Sequence, residues 1–218
     1  MALLKEECSV SELMEARWNL YQLLHWLFSA PLDSRSIDSF NQFGNVESLG
    51  ELGRGGLLLK EFFTSPADLL AERVEFSRLF IGPGSLPAPP WESFYTSSEQ
   101  NLFDEAMYKV REHYHGEDLI YEKENNEPDD HLLLEIEFML HLISQSTKQS
   151  DQHQIAHYLK KQNEFLMQHL GNWVKQFGEM LAESTESKLY SGAAYLAADF
   201  ITSDMQYVKE LMEGMADD

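Results

Sequence analysis

Asp130 and His131 are the adjacent residues best equipped for chemistry in this chain. They stand just ahead of an apolar run that begins at Leu132, where an aspartate is a good helix cap because its carboxylate accepts a bond from a first-turn amide. The pair therefore reads either as a cap with a histidine neighbour or as a polar binding site. His153-x-x-x-His157 sets two imidazoles on one helical face, a spacing that can hold a metal, but the glutamate of a metalloprotease helix and a third ligand are both missing. His131/Glu135 and Glu137/His141 have the same shortage, so no metal is expected. No Gly-x-x-x-x-Gly-Lys-Ser/Thr, no Gly-x-Ser-x-Gly and no Cys-His pair occurs, which leaves phosphate-loop and acyl-transfer chemistry without support. The single cysteine, Cys8, cannot form an internal disulfide. The chain is expected to be a non-enzyme without a cofactor; a small all-α enzyme or nucleotide-binding protein using Asp130 and His131 is the rival reading.

A second group of residues is apolar where loops are normally polar. Pro83, Pro87, Pro89 and Pro90 cannot continue a helix or sit in a central strand, so the chain should run extended from Gly82 to about Tyr95. It carries Leu86, Trp91, Phe94 and Tyr95 along the way, and a loop this apolar must pack on something or bind something. Phe76, Leu79, Phe80, Trp91, Phe94 and Tyr95 divide between core packing and binding, and Trp and Tyr suit the latter because each joins a large apolar face to a polar handle.

Charge narrows the partners. Sixteen Lys and Arg face 37 Asp and Glu, a formal net charge of −21, which disfavours nucleic acid and anionic membranes and favours a cationic ligand. Residues 92 to 137 alone hold fourteen acids against Lys109, Arg111 and Lys123. The plain reading of such an excess is a solvated surface; its position beside Trp91 and His131 points to function. The N-terminus lacks a basic start and an apolar run of signal-peptide length, and no window approaches eighteen apolar residues, so a cytoplasmic protein with no stable membrane association is expected.

The elements that must position these residues read as helices throughout. Thirty-one Leu against six Val, seven Ile and five Thr, with no convincing period-two stretch, predict an all-α chain. A single-domain bundle of roughly eight to ten helices over residues 1–218 is expected, with a Pro-rich extended loop and an acidic hinge linker at 117–130. The first helix should start at a capping box, Ser9-x-x-Glu12, and stop before Pro31. A Gly-rich segment near 44–56 reads as a flexible connection. Ser65-Pro66-Ala67-Asp68 predicts a helix start with Ser65 as cap, and that helix should run to Gly82-Pro83. The next should begin near Leu102 and Phe103 and stop at Gly116. A helix from Asp130 is apolar nearly all round, as suits the centre of a bundle, and Asp151 to Leu170, Asn172 to about Glu183 and Ser187 to Met215 complete the series, with Thr202 as the place where the last would break.

Three separated segments agree in type, order and spacing with a known family. Glu75-Phe76-x-x-Leu79-Phe80, a Pro-rich stretch closing in Glu92-Ser93-Phe94-Tyr95, and Glu127-Pro128-Asp129-Asp130-His131 resemble the TorD/DmsD family of chaperones for twin-arginine-exported molybdoenzymes. The resemblance implies a cytoplasmic chaperone that binds the twin-arginine leader, the apo form of a molybdopterin-containing oxidoreductase, or both, and delays export until the client is folded and loaded. A related nitrate-reductase assembly chaperone is the nearest alternative. By the same resemblance, Phe76, Leu79, Phe80, Pro90, Trp91 and Tyr95 are candidates for the apolar leader-binding surface, and Glu127, Pro128, Asp129, Asp130 and His131 for its polar part. A twin-arginine leader offers two guanidinium groups and an apolar segment, which a carboxylate rim beside an apolar groove would match. The family also implies a monomer or a domain-swapped dimer exchanging helices about the 117–130 linker.

Overall fold

The computed structural model describes residues 10–65, 68–97 and 105–216, and within them the leucine periodicity becomes eleven helices and no strand. They are α1 (Val10–Ser29), α2 (Ser34–Phe43), α3 (Val46–Leu49), α4 (Gly53–Thr64), α5 (Leu69–Phe80), α6 (Glu92–Thr96), α7 (Glu105–His115), α8 (Leu132–Thr147), α9 (Gln152–Gln168), α10 (Leu170–Glu183) and α11 (Lys188–Ala216). The all-α single-domain expectation holds. The count exceeds ten because α3 and α6 are one turn each, too short for apolar periodicity to signal. No helix among the described residues is long and apolar enough to cross a membrane.

The bundle is organised around α11, which packs against α10, α4, α9 and α1. Its inner face is built from small residues, Ala193, Ala194 and Ala197, between Leu189, Leu196, Ile201 and Val208, so neighbouring backbones can come close. A Cβ placed on Gly55 would sit 2.4 Å from Leu196 N, and one on Gly178 would sit 2.6 Å from Ala194 O. The glycine-rich segment is therefore not the flexible connection its composition suggests: Gly55 and Gly56 lie inside α4 as buried contact points. Only helix-helix packing distinguishes that role from a linker. Likewise α11 does not break at Thr202, whose hydroxyl donates to Ala198 O at 2.7 Å and is absorbed within the helix.

α1 buries Met14, Arg17, Tyr21, Leu24, Leu27 and Phe28 at helical spacing and ends ahead of Pro31. Its proposed capping residue, Ser9, lies outside the described residues, as do Cys8, Leu102 and Phe103. Arg17 is wholly interior: its guanidinium donates to both carboxylate oxygens of Asp204 on α11, at 2.5 and 3.0 Å, and to Gln162 Oε1 on α9 at 2.7 Å. Tyr21 donates to the same aspartate at 2.7 Å. Three helices are thus tied by one buried polar network. The start of α5 is a correction: Asp68, not Ser65, caps it by accepting from Leu70 N at 2.9 Å, and Ser65 instead ends α4. Pro66 and Ala67 lie outside the described residues. At the far end Gly82, with φ of +98°, turns the chain out of α5, a conformation that glycine reaches without a Cβ clash.

α8 is buried nearly all round, with Leu132, Ile136, Phe138, Met139, Leu140, Leu142 and Ile143 interior, and packs on α1 and α9. The acidic segment before it is laced down rather than open. Arg111 on α7 donates to Asp129 at 2.6 and 3.2 Å and to Asn125 at 2.9 Å, Tyr114 donates to Asp129 O at 3.2 Å, and Lys161 and His141 hold Glu117. It forms a strap across the α7 and α8 side of the bundle.

Candidate functional site

Two extended chain ends cross where the Pro-rich loop meets the strap. Prolines on both approaches, Pro89 and Pro90 on one side and Pro128 on the other, hold the backbone out of helical geometry, and each end then turns into a helix. Trp91 and His131 pair there as an isolated antiparallel bridge. Leu132 N donates to Pro90 O at 2.9 Å and Glu92 N donates to Asp130 O at 3.0 Å, so the starts of α6 and α8 are tied to each other.

Asp130 does not cap the helix that follows it, as its position suggests. Asp130 Oδ2 accepts from Ser93 N at 2.7 Å and so caps α6, whereas His131 caps α8, its Nδ1 accepting from Leu133 N at 3.1 Å. With Nδ1 as acceptor, the neutral ring carries its proton on Nε2. Burial holds the His131 pKa down to about 4, against the pull of Glu127 and Glu137, so the ring is uncharged at neutral pH. Trp91 meets it edge to face, with centroids 5.2 Å apart and planes at 79°.

Directly beneath this crossing is a buried set of acids that the sequence reading missed. Glu92 is 3 % exposed and Glu135 fully buried; Glu92 Oε2 lies 2.9 Å from His169 Nδ1, and Trp173 Nε1 donates to Glu135 Oε2 at 3.1 Å. Burial pushes both carboxyls up, Glu135 well above the ordinary range, and their mutual repulsion reinforces this for Glu135. Burial raises Asp130 as well. Ser93 Oγ, Asp130 Oδ1, Glu135 Oε1 and His169 Nε2 find no hydrogen-bond partner among the described residues. The signal available beforehand was a pair of glutamates, Glu135 and Glu137, in the otherwise apolar start of α8, of which only the first is buried.

The structure separates the sequence-predicted site residues into two sets. Phe76, Leu79, Pro90, Asp129 and Asp130 are interior and present no surface in this conformation. Phe80 packs edge-on against Phe28 and Tyr190, and Tyr95 stacks on Trp173 at 5.5 Å, both partly buried. The physical reason is that the Phe and Leu side chains at the end of α5 are what holds that helix to the bundle, while Asp129 is consumed by Arg111. The set brought together near the surface is Trp91, Pro128 and His131, half-buried, with Glu127 exposed and engaged by Lys123 at 2.9 Å and Tyr121 at 2.8 Å.

Comparison with known proteins agrees with this architecture. The chain is 31% identical over 140 residues to the chaperone protein TorD of Vibrio cholerae, spanning 64% of this chain and 63% of that protein, which is less than two thirds of its length. It is 29% identical over 122 residues to a Haemophilus influenzae protein named as Tat proofreading chaperone DmsD, covering 56% and 54% of the two chains. In fold it is similar to the crystal structure of a candidate redox enzyme maturation protein from Archaeoglobus fulgidus, with a TM-score of 0.51, 22% identity, and coverage of 92% of this chain and 99% of that one. The model of a protein family described as nitrate reductase delta subunit matches residues 51–179, more than half of the sequence, so the chain belongs to that family, the TorD/DmsD-type family that its segments between Glu75 and His131 resemble.

Proposed function

We propose that the protein is a non-catalytic cytoplasmic chaperone that binds the twin-arginine leader, the apo form, or both, of a molybdopterin-containing oxidoreductase and delays export until cofactor insertion is complete. The observation that carries this reading is the Trp91–His131 crossing within a chain of this family. A half-buried indole, a neutral imidazole and an exposed carboxylate, Glu127, stand together there on a rigid base. An indole face attracts a guanidinium, and an uncharged His131 does not repel it. Glu127 can exchange its exposed partner Lys123 for an arginine of the leader at little cost, because surface ion pairs are weak. Asp129 and Asp130 support the site from beneath, their carboxylates bonded to Arg111 and to Ser93 N, and Phe76, Leu79, Phe80, Pro90 and Tyr95 support it through packing.

Calorimetric titration of a twin-arginine and a twin-lysine peptide tests the reading. Trp91→Ala should weaken binding by about 1 to 3 kcal/mol, and Glu127→Gln should narrow the preference for arginine, since lysine lacks the planar fork that pairs two donors with one carboxylate. Equal affinity for both peptides in the wild type, or indifference to Trp91→Ala, refutes it. The description of the matching family favours a nitrate reductase as client, whereas the TorD and DmsD relatives favour an exported molybdoenzyme; identifying the enzyme that co-purifies from native cells separates the two.

A further inference from the structure

The crossing ties the Pro-rich loop to the strap, but its two backbone bonds, Leu132 N to Pro90 O and Glu92 N to Asp130 O, do not by themselves fix either segment to the far half of the bundle. Side chains at the start of α10 do. His169 and Trp173 stand four residues apart there. His169 Nδ1 lies 2.9 Å from Glu92 Oε2, Trp173 Nε1 donates to Glu135 Oε2 at 3.1 Å, and the Trp173 indole stacks on Tyr95 with centroids 5.5 Å apart. One end of α10 therefore grips α6 through Glu92 and Tyr95, and α8 through Glu135. That end is itself tightly packed: the rings of His113 and Phe165 each lie 5.1 Å from His169, and a Cβ on Gly171 would collide with Met205 on α11.

Fold stability alone does not ask for a carboxyl at position 92. Glu92 is 3 % exposed, Asp130 and Glu135 both bear on it or on each other as like charges, and burial raises the pKa of all three, so an apolar side chain of similar size would suit the packing better. What the carboxyl supplies, and an apolar group cannot, is a directed bond to His169. Glu92 follows Trp91 directly in the chain, with its amide on the crossing and its carboxyl on the α10 end, so the backbone that carries the indole is pinned from two directions. We propose that Glu92 and His169 are positioning residues for Trp91, holding the indole against His131, at 5.2 Å and 79°, from the α10 end of the bundle. The proposal rests on the leader-binding reading above and assigns the residues that aim its aromatic contact.

The test combines calorimetric titration of a synthetic twin-arginine peptide with the indole N–H resonances of the peptide-free protein. Glu92→Ala should weaken the peptide about tenfold, as a small displacement of a contact group does, and should shift the Trp91 Nε1–H resonance while leaving those of Trp18 and Trp26 on α1 in place. Glu92→Gln should return the affinity to within about twofold of wild type, because an amide can donate to His169 Nδ1 or accept from it. His169→Ala should reproduce the loss, and the double alanine variant should bind no more weakly than either single one, since both act through one contact. An unmoved Trp91 resonance in both alanine variants, or a lower melting temperature with unchanged peptide affinity, overturns the assignment and leaves the pair as packing alone. So does a Glu92→Gln variant as weak as Glu92→Ala. If the wild type binds no twin-arginine peptide, the leader reading falls, and the Trp91 resonance still decides whether Glu92 and His169 hold the indole.

Discussion

Replacing His131 by glutamine should flatten the acid dependence of stability. In the folded protein Nδ1 of His131 accepts the cap bond from Leu133 N and the ring is held neutral with a pKa of about 4, whereas in the unfolded chain it titrates near 6.5. Between those values the unfolded state binds the extra proton, so stability rises with pH through the window and is lost on acidification from about 6.5 towards 4. From pH 7 to pH 5 this one group should cost the wild type about 2 kcal/mol, or roughly 4 to 8 °C in melting temperature for a chain of this length. Glutamine keeps an oxygen that can accept from Leu133 N but cannot take up the proton. The buried acids Glu92, Asp130 and Glu135 shift in the opposite sense, yet they are present in both proteins and largely cancel in the difference. Urea titrations of wild type and His131→Gln at pH 7 and pH 5 measure it directly. Parallel losses in the two proteins, within about 0.5 kcal/mol, would show that the imidazole is open to protonation in the folded state and that its capping role is wrong.

Glu135→Gln should gain stability relative to wild type as pH rises above about 4.5, because a carboxyl whose folded pKa is raised loses its contribution on deprotonation and an amide cannot deprotonate; a falling difference between pH 5 and pH 8 in urea midpoints would contradict this. Asp204→Ala should cost about 3 to 5 kcal/mol, since it strands the buried Arg17 and deprives Tyr21 of its acceptor, while the paired change Arg17→Met with Asp204→Leu should recover most of the loss. Thermal melts of the single and paired variants decide it, and equal losses would mean that the network does not act as a unit.

Much of the helical architecture was legible because helix formation is local. Apolar spacing, Pro31, and the Gly82-Pro83 stop place α1 and the end of α5 to within a residue or two, and the nearly all-round apolar character of α8 marks it as central before any neighbour is known. Misreadings occur where two local signals compete or where the partner is remote. Ser65 and Asp68 are both good caps, and the backbone between α4 and α5 uses the second. Gly55 and Gly56 have the composition of a linker and the role of a packing surface, a distinction that exists only once α11 lies against α4 at Gly55 and the Leu49 backbone of α3 lies against Gly56.

The candidate site shows the same division. Trp91, Glu127, Pro128 and His131 entered the candidate site because the segments that carry them resemble the TorD/DmsD family in type and order. Which of them face outward was not legible there, since exposure is a property of the assembled bundle. Asp130 caps α6 across 37 residues of sequence, Glu92 meets His169 across 77, and Arg17 meets Asp204 across 187. Sequence alone therefore determined that this is an all-helical, acidic chain with an apolar loop and a capping segment ahead of its central helix, because those follow from local periodicity and composition. Only the tertiary structure decided which carboxylates are buried as supports and which remain on the rim, because burial and long-range pairing depend on neighbours that local pattern cannot name.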